Sequence, residues 1–228
     1  MIPAAPLVLE GRYVRLEPLD LHHVPALMAA SSERRETFRL TTAPDGIEEV
    51  RAYVTAALEA HAAGTALPFA TVSLALGRVV GSTRFGNLER WTWPKSHLEV
   101  RPYDVPDATE IGWTWLCEEV QRTAINTEAK RLMLAHAFET WRVHRVTLKT
   151  DVRNARSRAA IERLGARLDG IVRAHFPAVD GTVRDSASYS ILAAEWPTVR
   201  AHLDARLLAH GDAPPNATSA ETGRARPS

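Results

Sequence analysis

From residue 12 the chain reads "RYVRLEPL", with Tyr13 and Arg15 on one side of a period-2 pattern and Val14 and Leu16 on the other. That alternation predicts a half-buried strand, which Pro18 ends. Asp20 is placed to cap a helix over "DLHHVPALMAA". A stronger helical pattern follows in "GIEEVRAYVTAALEAHAAG", where Ile47, Val50, Val54 and Leu58 recur at helical spacing and Gly64 supplies the stop. "LPFATVSLALG" and "RVVGSTRFGNL" are β-rich runs joined around Gly77, which predicts a hairpin. "ERWTWPKSHLEVRPYDVPDA" then combines three prolines with the aromatics Trp91, Trp93 and Tyr103, so a long ordered excursion between strands is expected.

Further along, "ATEIGWTWL" is a strand, and "TEAKRLMLAHAFETW" a helix with Leu134, Phe138 and Trp141 along one face. "HRVTLKTDV" is another strand, "NARSRAAIERLG" a short helix stopped by Gly165, and the stretch to about Leu192 reads as two strands around Asp180 and Gly181. A last helix spans "EWPTVRAHLDARLLAH". After Gly211 the polar, Pro/Ala/Ser-rich "DAPPNATSAETGRARPS" is expected to be a disordered tail. The order of elements predicts a mixed α/β (α+β) domain over residues 1–210, built around one sheet, with the tail at 211–228.

Composition narrows the function classes. A chain of 228 residues with 45% apolar and 24% charged residues can bury a real core as one domain. A net charge of +1 gives no broad electrostatic footprint for nucleic acid. Arginine far outnumbers lysine, which occurs only as Lys95, Lys130 and Lys149. The single cysteine, Cys117, excludes an intrachain disulfide and fits a reducing compartment, the cytoplasm by default; a buried inert thiol is expected. The opening "MIPAAPLVLEGR" lacks a basic n-region, and no apolar run approaches a membrane span, so secretion and membrane insertion are both disfavoured. Nine histidines show no zinc-binding spacing, and no metal site is expected.

The candidate chemistry lies in three stretches. "QRTAINTEAKRLML" follows a strand and opens a helix, whose first backbone N–H groups have no intrahelical partner and favour an anion. Asn126 or Thr127 is placed to cap it, and Gln121 and Arg122 flank the turn with donors; the same pattern also describes an ordinary capped helix. Glu128 suits the helix dipole but would repel phosphate, so it is expected to point away. In "ATEIGWTWL", period 2 puts Glu110, Gly112 and Thr114 opposite Ile111, Trp113 and Trp115. Beside a glycine, Glu110 has room to take a proton from an amine; equally it could be a strand carboxylate paired with an arginine. In "NARSR", Asn154 suits an N-cap and Ser157 lies in the first helical turn. The aromatic excursion around Trp91, Trp93, His97 and Tyr103 either walls a substrate pocket or closes a core edge or dimer contact. Tyr189 is expected to pack.

"AINTEAKRLMLAHAFE" resembles the acyl-coenzyme A pyrophosphate segment of the GNAT N-acyltransferase superfamily, Gln/Arg-x-x-Gly-x-Gly/Ala at a helix start. Gln121 takes the first place, Ala124 that of the first glycine and Asn126 the last. "LEGRYVRLEPL", "NARSRAAIERLGARLDGIVR" and "RDSASYSILAAEWPTVRAHLDARL" resemble the ribosomal-protein alanine acetyltransferase (RimJ/RimL) branch, extending the likeness over about residues 7 to 208. The resemblance implies a GNAT fold: a single mixed, mostly antiparallel sheet flanked by helices, with a splayed strand pair forming the acyl-CoA cleft. It implies an N-acyltransferase moving an acyl group, acetyl by default, from acyl-CoA to an amine of a protein N-terminus or small molecule. Catalytic roles would fall to Glu110 as base and Ser157 toward the departing thiolate, since the tyrosine many relatives carry farther along that helix is replaced here by residues such as Ile161, Arg163 and Leu164. Coenzyme A contacts would fall to Trp115, Leu116, Gln121, Arg122, Thr123, Ala124, Ile125, Asn126, Thr127, Asn154 and Ser157. Homodimerisation is a family expectation. The alternative is a coenzyme A-binding regulatory or structural domain with little catalysis.

Overall fold

Among the described residues, strand propensity and alternation are realised as eight strands in one sheet. They are β1 (Leu9–Glu10), β2 (Val14–Pro18), β3 (Leu67–Ser73), β4 (Arg78–Glu89), β5 (Ala108–Leu116), β6 (Arg145–Asp151), β7 (Arg167–Pro177) and β8 (Val183–Leu192). The helices are α1 (Val24–Ser32), α2 (Gly46–Ala62), α3 (Ala124–Ala135, continued by a π turn through Thr140), α4 (Ala155–Arg163) and α5 (Trp196–Gly211). The computed structural model describes residues 7–94 and 105–211. His97, Tyr103 and the tail expected after Gly211 lie outside them. Among the described residues no helix is long and apolar enough to cross a membrane.

The spatial order is β1-β2-β3-β4-β5-β6-β8-β7, and every neighbouring pair is antiparallel except β5 with β6. The mixed, mostly antiparallel sheet expected from sequence is therefore present. Ser82 meets Tyr53 of α2, whereas the next residue, Thr83, meets Met133 and Lys130 of α3. Adjacent strand residues face opposite ways, so α2 and α3 cover opposite faces. α1 packs with α2, and α5 docks beside α3, where Phe138 stacks on Trp196 at 5.5 Å.

The local signals work as expected at several points. Val14 and Leu16 are fully buried in β2. Asp20 caps a short 3-10 turn that leads into α1. Gly64, Gly77, Gly165 and Gly181 all hold the positive φ that stops or turns require.

The parallel pair β5 and β6 makes the site. Its ladder comprises only Ala108 with Arg145, Thr109 with Val146 and Glu110 with Thr147. Beyond Glu110, β5 stays paired with β4 as far as Leu116, while β6 stays paired with β8 as far as Asp151. The two strands therefore part at Glu110, leaving a V between them with backbone groups on its walls. At its open end lie the N-termini of α3 and α4, because each helix follows its strand within a few residues.

Candidate active site

Glu110 sits at the vertex of the V. Its side chain is 12% exposed, and Oε2 accepts from Lys149 Nζ at 2.7 Å and Asn87 Nδ2 at 2.9 Å. The partner is thus a lysine from the neighbouring parallel strand, not an arginine. Oε1 has no hydrogen-bond donor among the described residues and lies over Gly112, where a Cβ would come within 3.2 Å of it. Glycine at 112 is what lets the carboxylate lie back over its own strand with one oxygen open.

The expected alternation of β5 fails at one point. Ser82 pairs Trp115 and Arg84 pairs Gly112, so Thr83 alone faces two residues, Trp113 and Thr114. This is a β-bulge, and Trp113 takes left-handed backbone (φ 50°), a strain of about 1–3 kcal/mol. Trp113 is consequently moved to the Glu110 face, where its ring covers Gly86, the residue directly across from Glu110. Thr114 turns to the other face and meets Lys130 Nζ at 2.6 Å. Lys130 also donates to Thr83 Oγ1 at 2.9 Å, so α3 holds the bulge from behind. Burial pushes the Lys130 ammonium down to about 7.

At the α3 terminus the cap is Thr123, not Asn126 or Thr127. Thr123 Oγ1 accepts from Ile125 N at 3.3 Å and donates to Val120 O at 2.7 Å. All three positions carry capping residue types. Burial of Ala124 and Ile125 draws the helix start three residues forward. Left-handed backbone falls on exposed Arg122 (φ 63°), so neither Ala124 nor Asn126 has to supply what a glycine would. Asn126 and Thr127 lie within the first helical turns, half-buried.

Glu128 points away from the terminus, as expected. Its carboxylate is buried and accepts from the backbone N–H groups of Arg12 (2.8 Å), Tyr13 (2.6 Å) and Val14 (2.9 Å), which fixes α3 to the β1–β2 hairpin.

The other expected contact residues divide by what their side chains already hold. Trp115 is buried against Phe38 and Tyr53, so only its backbone borders the V. Leu116 O accepts from Gln121 Nε2 at 2.8 Å, and Gln121 Oε1 accepts from Arg156 at 2.9 Å, a bridge across the open end. Asn154 caps α4 by accepting from Ser157 N at 2.9 Å and donates to Leu40 O at 3.2 Å. Ser157 is half-buried, and its hydroxyl has no hydrogen bond within the described residues. A cavity of about 750 Å³ lies beside the α4 terminus, lined in part by Thr37, Arg39, Arg153, Asn154 and Arg156. Glu110 is not in its wall. Trp91 stacks on His144 at 5.4 Å and Trp93 donates to Asp107, so these two aromatics close the sheet at the narrow end. Tyr189 is fully buried, its hydroxyl held between Arg158 and Glu162. Cys117 is a free buried thiol, pushed up by burial and by Glu33.

A strand pair that parts beside a helix terminus is the arrangement implied by the sequence resemblance. A family model described as an acetyltransferase (GNAT) domain matches residues 14–167, well over half of the chain. The chain belongs to the GNAT acetyltransferase family. The ribosomal N-acetyltransferase candidate YdaF of Bacillus subtilis (strain 168) is 37% identical over 87 residues, 38% of this chain. The match spans about half of that relative, 46% of its length. A GCN5-related N-acetyltransferase structure from Brucella melitensis is similar with a TM-score of 0.75 and 29% identity, covering 88% of this chain and 85% of that one. Mycobacterium smegmatis RimJ in complex with CoA-disulfide shares the fold, with a TM-score of 0.69 at 21% identity over 89% and 93% of the two chains.

Sequence reasoning missed Lys149 and Asn87 beside Glu110, and the Tyr53, Arg84 and Trp113 stack on the same face. A basic residue two places beyond the strand position opposite Glu110 was visible, but only the parallel register makes Lys149 its partner.

Proposed function

We propose that the protein is an acyl-CoA-dependent N-acetyltransferase that acetylates a primary amine, of a protein N-terminus or a small molecule, by direct attack in a ternary complex. The observation that carries this is the parting of β5 and β6 at Glu110, with the α3 terminus at the open end. The residues suit acyl-CoA. The first N–H groups of α3 lack intrahelical partners, exposed Arg122 stands beside them, and the carboxylate of the first helical turns, Glu128, is turned to the hairpin. Pantetheine amides would pair with strand backbone along the V.

Bound acyl-CoA supplies the activated thioester. The chain's contribution is position and proton handling. Glu110 Oε1 would accept the proton of the attacking amine, directly or through water, while Lys149 and Asn87 hold Oε2. The Ser157 hydroxyl would hydrogen-bond the departing thiolate, and the absence of any other hydrogen bond to it among the described residues is what supports that role. The test is acetyl-CoA-dependent thiol release over a panel of amines. Acetylation of any amine well above the hydrolysis background is expected. Tight binding of acetyl-CoA with no amine turned over would overturn the enzyme reading in favour of a coenzyme A-binding regulatory or structural domain.

A further inference from the structure

Several arginines in this protein are answered by carboxylates: Arg78 by Glu33 and Glu119, Arg131 by Asp204, Arg145 by Glu89, Arg153 by Asp151 and Asp180. Arg84 differs. It is 6% exposed, yet its guanidinium has no hydrogen bond or ion pair among the described residues, and its Nε is buried without a partner. The group is held only by aromatic faces, 4.9 Å from the Tyr53 ring centroid and 5.1 Å from that of Trp113. Both rings lie against the guanidinium, and neither offers its N–H groups a hydrogen-bond acceptor. A buried, unpaired cation is a costly feature to keep unless an anion arrives to pair with it.

The location indicates which anion. Arg84 pairs Gly112 across the β4–β5 ladder, and Gly86 pairs Glu110, so Arg84 and Glu110 are diagonal neighbours on one face. Such neighbours stand roughly 7–8 Å apart at the backbone, within reach of one small molecule for two long side chains. Lys149 already balances Glu110, so the Arg84 charge is left over at the place where the amine must approach. A protonated simple amine would meet that excess positive charge. An amine carrying a carboxylate would neutralise it, and a planar carboxylate matches the in-plane fork.

Building on the proposed acetyl transfer, we infer that the acceptor is an amine bearing a carboxylate a few bonds from its nitrogen, with Arg84 as the residue that binds the carboxylate. Two sources share this chemistry: a free amino acid, or a peptide whose first residue has an acidic side chain. Tyr53 and Trp113 set the orientation of the guanidinium, and the β5 bulge is what brings Trp113 to this face.

The experiment compares matched amines, β-alanine with propylamine, glutamate with its diamide, and Asp-led with Ala-led peptides. Calorimetric binding to the protein–coenzyme A complex and kcat/KM for acetylation are both measured. The carboxylate member should bind and react roughly 10- to 100-fold better, as a charged hydrogen-bonded pair allows. Arg84→Gln should abolish that preference, weakening the carboxylate amines while simple amines bind no worse than in wild type and acetyl-CoA affinity is unchanged, and Arg84→Lys should restore part of it. Arg84→Met should melt no lower than wild type, since it removes an unpaired buried charge. Free amino acids and acidic peptides identify the source by which pair shows the preference. Equal binding of neutral and carboxylate amines overturns the inference, as does loss of acetyl-CoA affinity in Arg84→Gln. Carboxylate-selective binding without any acetylation would instead sink the transferase reading and leave the anion site standing.

Discussion

Glu128→Ala tests whether the terminus of α3 is held from the far side by a carboxylate rather than by the loop. The substitution removes the acceptor of three backbone N–H groups, of which that of Val14 is buried and those of Arg12 and Tyr13 are partly buried. A buried donor left unsatisfied costs about 1–3 kcal/mol, and water can rescue part of the loss at Arg12 and Tyr13. The total comes to about 3–4 kcal/mol. For a chain of this size each kcal/mol moves the melting temperature by about 2–4 °C, so a fall of about 10 °C is expected in a calorimetric or dichroism melt. Gly11 gives an internal control, because a Cβ there would lie 2.6 Å from Glu128 Oε2. Gly11→Ala should therefore destabilise wild type strongly but cost much less in the Glu128→Ala background. A melting shift of under about 3 °C for Glu128→Ala, or strictly additive effects in the double variant, would refute the reasoning.

Lys130 gives a pH signature. The folded chain releases its proton near 7 because of burial, against an ordinary value of 10.5, so between those pH values the unfolded state binds more protons. Stability should then rise with pH over that window, with a slope approaching about 1.4 kcal/mol per pH unit, the penalty being fully present below pH 7. Lys130→Met should flatten this dependence in denaturant melts from pH 6 to 10; an unchanged slope would reject the assignment. At the α3 terminus, Asn126→Asp should leave or slightly raise stability through the helix dipole, yet weaken acetyl-CoA by about fivefold, read by calorimetry. Equal affinities would place the pyrophosphate elsewhere. For Arg84, selectivity between carboxylate and neutral amines is the discriminating readout.

Much of the frame was legible in local pattern. The bounds of β5, the faces of β2 and the helix stop at Gly165 follow from alternation and from glycine's backbone freedom, which depend on few neighbours. The Asn154 cap was legible for the same reason. The Thr123 cap was not, because "TAINT" offers three capping residues and only burial of Ala124 and Ile125 chooses among them. The bulge at Trp113 was invisible because it is a property of the pairing with Thr83, a residue thirty positions earlier. Glu110 was singled out from its glycine neighbour. Lys149 and Asn87 arrive from two other strands, and only topology brings them together. Arg84 looked like one strand arginine among many; that it is buried beside Glu110 with no hydrogen bond or ion pair among the described residues is a fact of tertiary packing.

The measurement closest to the central claim is kcat for Glu110→Gln, with acetyl-CoA affinity determined on the same preparation. If Glu110 takes the amine's proton at the vertex of the β5–β6 cleft, kcat should fall by about 10²–10⁴-fold while the dissociation constant for acetyl-CoA stays within about twofold. An unchanged kcat across the pH profile would contradict the account and leave the carboxylate as a strand ion pair with Lys149.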